Sequence, residues 1–275
     1  MRIDSHQHFW IFDPVRDSWI DESMAAIQRD FLPADLKPIL DKHQIDGCVA
    51  VQADQSDIET RFLLQHAAKN DFIKAIVGWV DLRAGNIEEQ LTDYSQFEKL
   101  KGFRHVLQGD PDRALMLKPA FMHGIKELER YNFTYDILIF PDQLVYAEEL
   151  VGAFPNQKFV IDHIAKPYIK KQEIADWEKD VAAIAQYENV WCKVSGMVTE
   201  AEWQNWQEAD FTPYLDVVFK AFGTKRLMFG SDWPVCNVAG GYDRMISIVE
   251  NYTSKLSVDE YTDFWGNNAV EFYNI

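Results

Sequence analysis

His6-Gln7-His8 closes the first strand-like run of the chain, and Asp232, in Gly230-Ser231-Asp232-Trp233-Pro234, follows the last. In an extended strand side chains alternate between faces, so two histidines separated by one residue point the same way. Two imidazoles side by side can hold a divalent metal or polarise a carbonyl. A carboxylate beside them can take a proton from water. On its own the His-x-His pair is a common pattern, and its meaning comes from position. In a closed barrel the first and last strands are neighbours, which would set His6 and His8 next to Asp232.

The elements needed for such a barrel are visible. Short β-branched or aromatic runs recur at 2–6, 47–52, 75–80, 102–107, 134–140, 158–164, 190–195 and 226–231. Between them lie helix-start signals. Ser56 with Glu59, Thr199 with Glu202 and Ser257 with Glu260 have the spacing of capping boxes, in which hydroxyl and carboxylate satisfy orphan amides. Thr212-Pro213 reads as an N-cap followed by proline at the first helical position, and Gly223 reads as the end of that helix. Strands alternating with helices imply parallel pairing with crossover helices. Eight such units predict a single-domain α/β fold, a (β/α)8 TIM barrel over residues 1–275, whose length is usual for that fold. The stretch 9–33 breaks the rhythm. A loop of that length at a barrel mouth is expected to act as a lid or substrate wall, or its aromatics simply cap the mouth.

Composition narrows the function. Apolar residues make up 47% and charged residues 26%, as in soluble proteins with a large core. A net charge of −17 argues against nucleic acid or an anionic membrane as partner, leaving a small molecule. Cys48, Cys192 and Cys236 show no paired spacing and read as buried free thiols in a reducing compartment. No apolar run is long enough to span a bilayer, and the chain enters its first strand at once, so a cytoplasmic location is expected.

Residues at the carboxyl ends of barrel strands face one common site. Here those ends carry His6 and His8, Gln52, Asp81, Arg104-His105, Asp136, His163, Lys193 with Ser195, and Asp232-Trp233. This rim is far more polar than the strands behind it, which points to an enzyme. Asp162 has the parity opposite to His163 and is expected to face a helix. Arg104 and His105 point opposite ways, and arginine is the better anchor for an oxygen-rich ligand because its planar fork bonds two oxygens. Lys193 is expected in the pocket. His43, His66 and His123 fall on helices and read as packing or surface residues.

Taken together, Asp4-Ser5-His6-Gln7-His8-Phe9-Trp10, Lys101-Gly102-Phe103-Arg104-His105-Val106, Asp162-His163-Ile164-Ala165-Lys166-Pro167, Cys192-Lys193-Val194-Ser195-Gly196, Leu227-Met228-Phe229-Gly230-Ser231-Asp232-Trp233-Pro234 and Trp265-Gly266-Asn267-Asn268-Ala269 resemble the amidohydrolase superfamily. The resemblance is to its lactonase branch, which includes L-fuconolactonases and L-rhamnonolactonases. It implies a (β/α)8 barrel with His6, His8, His163 and Asp232 in the site. Binuclear members carry a bridging carboxylate or carboxylated lysine and further histidines, which this chain does not supply. The resemblance therefore implies one divalent metal, zinc first, loosely bound or dispensable, on His6, His8 and Asp232. The implied reaction is hydrolysis of a sugar lactone, with Asp232 as base, His163 in support, Arg104 and Lys193 binding the substrate, and Trp10 or Trp233 stacking on it. A metal-dependent decarboxylase and a barrel that only binds carbohydrate are the alternatives.

Overall fold

The computed structural model describes all 275 residues. Eight strands, β1 (Ile3–Gln7), β2 (Gly47–Val51), β3 (Ile73–Gly78), β4 (Leu100–Val106), β5 (Thr134–Leu138), β6 (Phe159–Ile161), β7 (Val190–Val194) and β8 (Leu227–Phe229), pair in parallel in sequence order. Helices α1 (Pro33–Lys42), α2 (Asp57–Lys69), α3 (Ile87–Tyr94), α4 (Pro119–Arg130), α5 (Leu144–Ala153), α6 (Ala175–Ile184), α7 (Thr212–Phe222) and α8 (Gly241–Thr253) follow the strands in turn. Short helices α9 (Val258–Thr262) and α10 (Asn268–Tyr273) end the chain. This is the (β/α)8 architecture that the sequence predicts. No helix is long and apolar enough to cross a membrane.

Local signals account for some of the helix ends, while Thr212 lies inside α7 and Phe211 stands at its N-cap position. The Ser56 hydroxyl accepts from the Glu59 amide at 3.2 Å, and Ser257 does the same with Glu260. The Glu59 carboxylate, however, turns away from Ser56 and accepts from the Ala53 amide at 3.0 Å. Gly223 ends α7 at φ +64°, where a Cβ would be strained. Thr199 starts no α-helix. It lies within a 3₁₀ turn, and its hydroxyl donates to the Gly196 carbonyl at 2.7 Å.

The lower interior of the barrel is apolar. Ile3, Val49, Val51, Ala75, Val77, Val160 and Met228 cluster there, and α10 packs Ala269, Phe272 and Tyr273 against them. Full burial of side chains of this size contributes roughly 1.5–3 kcal/mol each. A larger apolar layer lies between the outer face of the sheet and the helices.

Closure between β8 and β1 is made just past the strand ends. The Asp232 amide donates to the His6 carbonyl at 2.8 Å, and the His8 amide donates to the Trp233 carbonyl at 2.7 Å. Buried Asp4 reinforces the seam by accepting from the Ser231 amide at 2.9 Å and from the Tyr242 hydroxyl at 3.1 Å. Desolvation pushes the Asp4 carboxyl up to about 6, with these hydrogen bonds working against the rise. Gly230 allows the two strands to meet, since a Cβ there would lie 2.6 Å from the His6 Cβ and 3.1 Å from the Ser195 Cβ. Gly230→Ala is therefore expected to destabilise the barrel by about 1–3 kcal/mol through overpacking. Chemical denaturation checks this, and an unchanged midpoint would show that the seam tolerates a methyl group.

Candidate active site

His6 and His8 leave β1 toward the barrel axis and meet Asp232 across the seam. The two Nε2 atoms lie 3.2 Å apart, and His8 Nε2 is 3.3 Å from Asp232 Oδ1. His163 completes the group, its Nε2 3.9 Å from the same oxygen. All four side chains are nearly inaccessible to solvent.

The other nitrogen of each imidazole is committed. His8 Nδ1 lies 2.8 Å from the Val51 carbonyl, which can only accept, so this nitrogen carries the proton. His6 Nδ1 faces Asp162 Oδ1 at 3.1 Å, and Arg104 Nη1, a pure donor, sits 3.2 Å from His6 Nε2. Both contacts place the His6 proton on Nδ1; the Lys193 ammonium also comes within 3.2 Å of that nitrogen, but it is met by the carboxylates of Asp136 and Asp162. His163 Nδ1 lies 2.9 Å from the Ser195 hydroxyl. The Nε2 lone pairs of His6 and His8 therefore lie 3.2 Å apart beside an anionic carboxylate, with the Arg104 donor on His6 Nε2 as their one proton source, an arrangement that repels unless a cation is shared. A tetrahedral zinc with bonds of about 2.0–2.1 Å holds its donors about 3.3–3.4 Å apart, close to the spacings of His6, His8 and Asp232. The donor set and its spacing fit one divalent cation.

Electrostatics agree. Burial lowers the pKa of both His6 and His163 well below the usual imidazole value, so each is neutral, as ligands and acceptors must be. Burial alone would raise Asp232; the facing imidazoles of His163 and His8, in so far as they carry a proton toward it, and the Lys166 ammonium hold the carboxyl below its ordinary value. Asp232 is thus an anion poised as an acceptor.

Beneath these groups lies a charge layer with no access to water. Lys193 Nζ bonds Asp136 Oδ2 and lies 3.0 Å from Asp162 Oδ1, while Arg104 Nη1 reaches Asp162 Oδ2 at 3.0 Å. Arg104 Nη2 donates to the Gln52 carbonyl, and the Tyr273 hydroxyl donates to Asp136 Oδ2 at 2.9 Å. Burial would raise Asp162, yet Lys193, His6 and Arg104 hold it well below the usual range. Burial, with the nearby Asp162 charge, outweighs the Lys193 ammonium and the Tyr273 hydroxyl at Asp136, whose carboxyl is pushed up to about 6.

Three sequence expectations need correction. Lys193 is not at the mouth. Its side chain is fully buried against two carboxylates, so it cannot reach a ligand. Asp162 does not face a helix. Val160 belongs to the interior cluster, so Asp162 shares its face, and it is His163 that departs from strand alternation. The strand stops at Ile161, and His163, Ile164, Ala165 and Lys166 all take φ between +48° and +60°. This left-handed turn swings the His163 imidazole inward and costs roughly 1–2 kcal/mol per residue. Gly196 leaves room for it, since a Cβ there would sit 2.4 Å from His163 Nδ1. Trp233 does not face the pocket either. It is packed against Phe9 and Phe31, with ring centroids 6.2 and 5.2 Å away.

The cavity above the site has a volume of about 400 Å³, and His8, Arg104, His163 and Asp232 reach its floor. Trp10 lines it as expected, and Arg104 faces it while His105 turns outward to Trp79 and Phe121. The long loop after β1 is a wall of this cavity through Arg16, Asp17 and Trp19, and its aromatics also pack at the mouth. Lys166, Gln55 and Gln108 line the cavity as well and escaped the sequence reading. They lie beyond the strand ends, where alternation gives no direction. Lys166 pairs with Glu200 at 2.8 Å.

The charge layer makes a direct prediction. Lys193→Met strands Asp136 and leaves Asp162 with Arg104 as its one cation, and should cost about 3–5 kcal/mol, the scale for breaking a buried ion pair. Lys193→Met combined with Asp136→Leu should recover part of that loss in urea unfolding. If the single variant is as stable as wild type, Lys193 does not neutralise the layer.

Comparison with known proteins converges on the same reading. The model of the amidohydrolase family matches residues 3–275. An L-fucono-1,5-lactonase of Burkholderia multivorans is 38% identical over 99% of this chain and 96% of its own length. An L-rhamnono-gamma-lactonase of Scheffersomyces stipitis is 25% identical over 75% of this chain and 70% of its own. A crystal structure of a Burkholderia multivorans amidohydrolase with bound zinc superposes with a TM-score of 0.96 at 38% identity, covering 100% of this chain and 99% of that one. With the barrel, the histidine–aspartate group and a match over nearly its whole length, this chain belongs to the amidohydrolase family.

Proposed function

We propose that the protein hydrolyses a sugar-acid lactone to the open aldonic acid, with an L-fucono- or L-rhamnono-lactone as the first substrate to try. The observation that carries this reading is the ionised Asp232 beside the unprotonated Nε2 atoms of His6 and His8 on the floor of a cavity of about 400 Å³. The lactonases similar to this chain give the substrate class.

Asp232 is the general base. His8 and His163 both meet its Oδ1, which leaves Oδ2 to accept the proton of the attacking water. His6, His8 and Asp232 would hold one divalent ion, zinc first and loosely bound. When bound, the ion supplies a Lewis acid for the lactone carbonyl and acidifies water. Arg104 binds substrate oxygen. Its side chain lines the cavity; Nη1 and Nη2 are used within the protein, and Nε–H is buried without a protein partner. The ring oxygen departs as an alkoxide and takes back the proton held by Asp232, and His163 keeps that carboxylate oriented. Trp10 contributes an apolar wall. Lys193 acts from below, by fixing Asp162, and has no contact with substrate in this scheme.

The Arg104 guanidinium lies 3.2 Å from His6 Nε2 and adds a positive charge beside the ligand set. This supports one ion per chain. A decarboxylase on the same ligands would also use one ion, so the reaction itself must be assayed.

A pH-indicator screen of aldonolactones with the purified protein tests the proposal. Wild type should acidify the assay with hydroxylated lactones, and Asp232→Asn should lower kcat by ~10²–10⁴-fold with little change in KM. Elemental analysis of the same preparation should find no more than one divalent ion per chain. Two tightly held ions, or Asp232→Asn within a few-fold of wild type, would refute these assignments.

A further inference from the structure

Ser195 directly follows β7 and is fully buried. Its hydroxyl meets His163 twice. The His163 backbone amide, which can only donate, lies 3.2 Å from Oγ, and His163 Nδ1 lies 2.9 Å from the same atom. Oγ makes no other hydrogen bond. A hydrogen on Nδ1 would turn Oγ into a double acceptor and strand the buried hydroxyl proton without a partner. Buried polar groups are almost always paired. The hydroxyl therefore donates to Nδ1, and the hydrogen of the neutral His163 ring sits on Nε2.

The ring is fixed in that contact. Gly196, at φ +60°, has no room for a side chain, because a Cβ would sit 2.4 Å from His163 Nδ1. The His6 ring also packs on it, with centroids 4.4 Å apart. His163 Nε2 makes no hydrogen bond within the protein. It lies 3.9 Å from Asp232 Oδ1, beyond hydrogen-bond range but close enough for one oxygen atom to touch both. His6 and His8 carry their hydrogens on Nδ1 and turn lone pairs toward the site. Of the three imidazoles, His163 is the one that presents an N–H.

We infer that Ser195 is a positioning residue that holds His163 as its Nε2–H tautomer, so that this N–H meets the lactone ring oxygen as it departs beside Asp232. The catalytic consequence rests on the lactonase reading, whereas the tautomer follows from the hydrogen bonds alone. The ring oxygen must approach Asp232 to receive its proton, and there the His163 N–H is within reach of it. As the carbon–oxygen bond breaks, negative charge gathers on that oxygen and the hydrogen bond strengthens. The imidazole hydrogen stays on its nitrogen. The proton that ends on the oxygen is the one Asp232 took from water, so His163 leaves the step unchanged. The opposite tautomer would aim a third lone pair at the carboxylate and the departing alkoxide, which repels both. Ser195 also keeps His163 out of the metal ligand set, since its hydroxyl proton occupies the one lone pair of the ring.

Nitrogen-15 NMR of the metal-free protein, with labelled histidine and His163 assigned by substitution, reads the tautomer without substrate. Wild type should show a neutral His163 with its hydrogen on Nε2, opposite to His6. Ser195→Ala should lose that preference and lower kcat on the best lactone by roughly 10- to 100-fold, the scale of a misplaced catalytic group, with KM little changed. Ser195→Cys, which keeps a weak S–H donor, should fall between the two in both readouts. A hydrogen on Nδ1 in wild type would overturn the proposal, and that result needs no variant to fold. So would a Ser195→Ala protein that loses activity with its tautomer unchanged, since Ser195 would then support structure only. An Nε2–H His163 in a protein that opens no lactone would refute the lactonase reading and leave the hold of Ser195 on His163 standing.

Discussion

Asp162 is the constraint on which this site depends. It is a carboxylate without access to water, and such a charge survives burial only when it is paired and hydrogen-bonded. Lys193 and Arg104 supply the pairing from two strands, and His6 supplies a neutral N–H. In return the carboxylate holds the His6 ring so that its other nitrogen faces His8 and Asp232. The same triangle ties β4, β6 and β7 to β1 at one level of the barrel. The charge layer thus positions the reacting groups while its own members stay away from the substrate. Asp136 and Tyr273 extend it downward to the C-terminal helix.

The layer also explains how the barrel can be apolar below and reactive above. Valine, isoleucine and alanine fill the lower interior, and the first polar residues met on moving upward neutralise one another. Only then do His8, His163 and Asp232 reach the cavity. His163 needs an unusual device to do so. A residue following Asp162 on a regular strand would point out of the barrel, and the left-handed turn from His163 to Lys166 brings it back. Part of the cost of that turn is offset locally, since the Ile164 carbonyl accepts from the Trp177 indole at 2.9 Å.

The barrel itself was legible in the sequence because strand runs and helix signals alternate with the right count and spacing, and β1 and β8 place His6, His8 and Asp232 by simple neighbourhood. Arg104 was likewise assigned to the interior by its residue type and by alternation against His105. Alternation failed where the chain stops being a strand. A strand running to residue 164 would put Asp162 outside and His163 inside; because the strand stops at Ile161 and turns left-handed, both side chains face the interior. Lys193 was read as a free cation because its partners, Asp136 and Asp162, lie on other strands and no local pattern pairs them. Gln55, Gln108 and Lys166 sit on loops, where direction is set by tertiary packing. The capping boxes behaved similarly. Ser257 and Glu260 close one as written, whereas the carboxylate of Glu59 is drawn away by the Ala53 amide.

The buried charge layer fixes the tautomer of His6. Nitrogen-15 NMR of the metal-free protein, with histidine labelled and His6 assigned by substitution, measures this directly. A neutral His6 ring at pH 7 with its proton on Nδ1 is the expected result, with loss of that pattern in Asp162→Asn. A proton on Nε2, or a doubly protonated ring at pH 7, would contradict it.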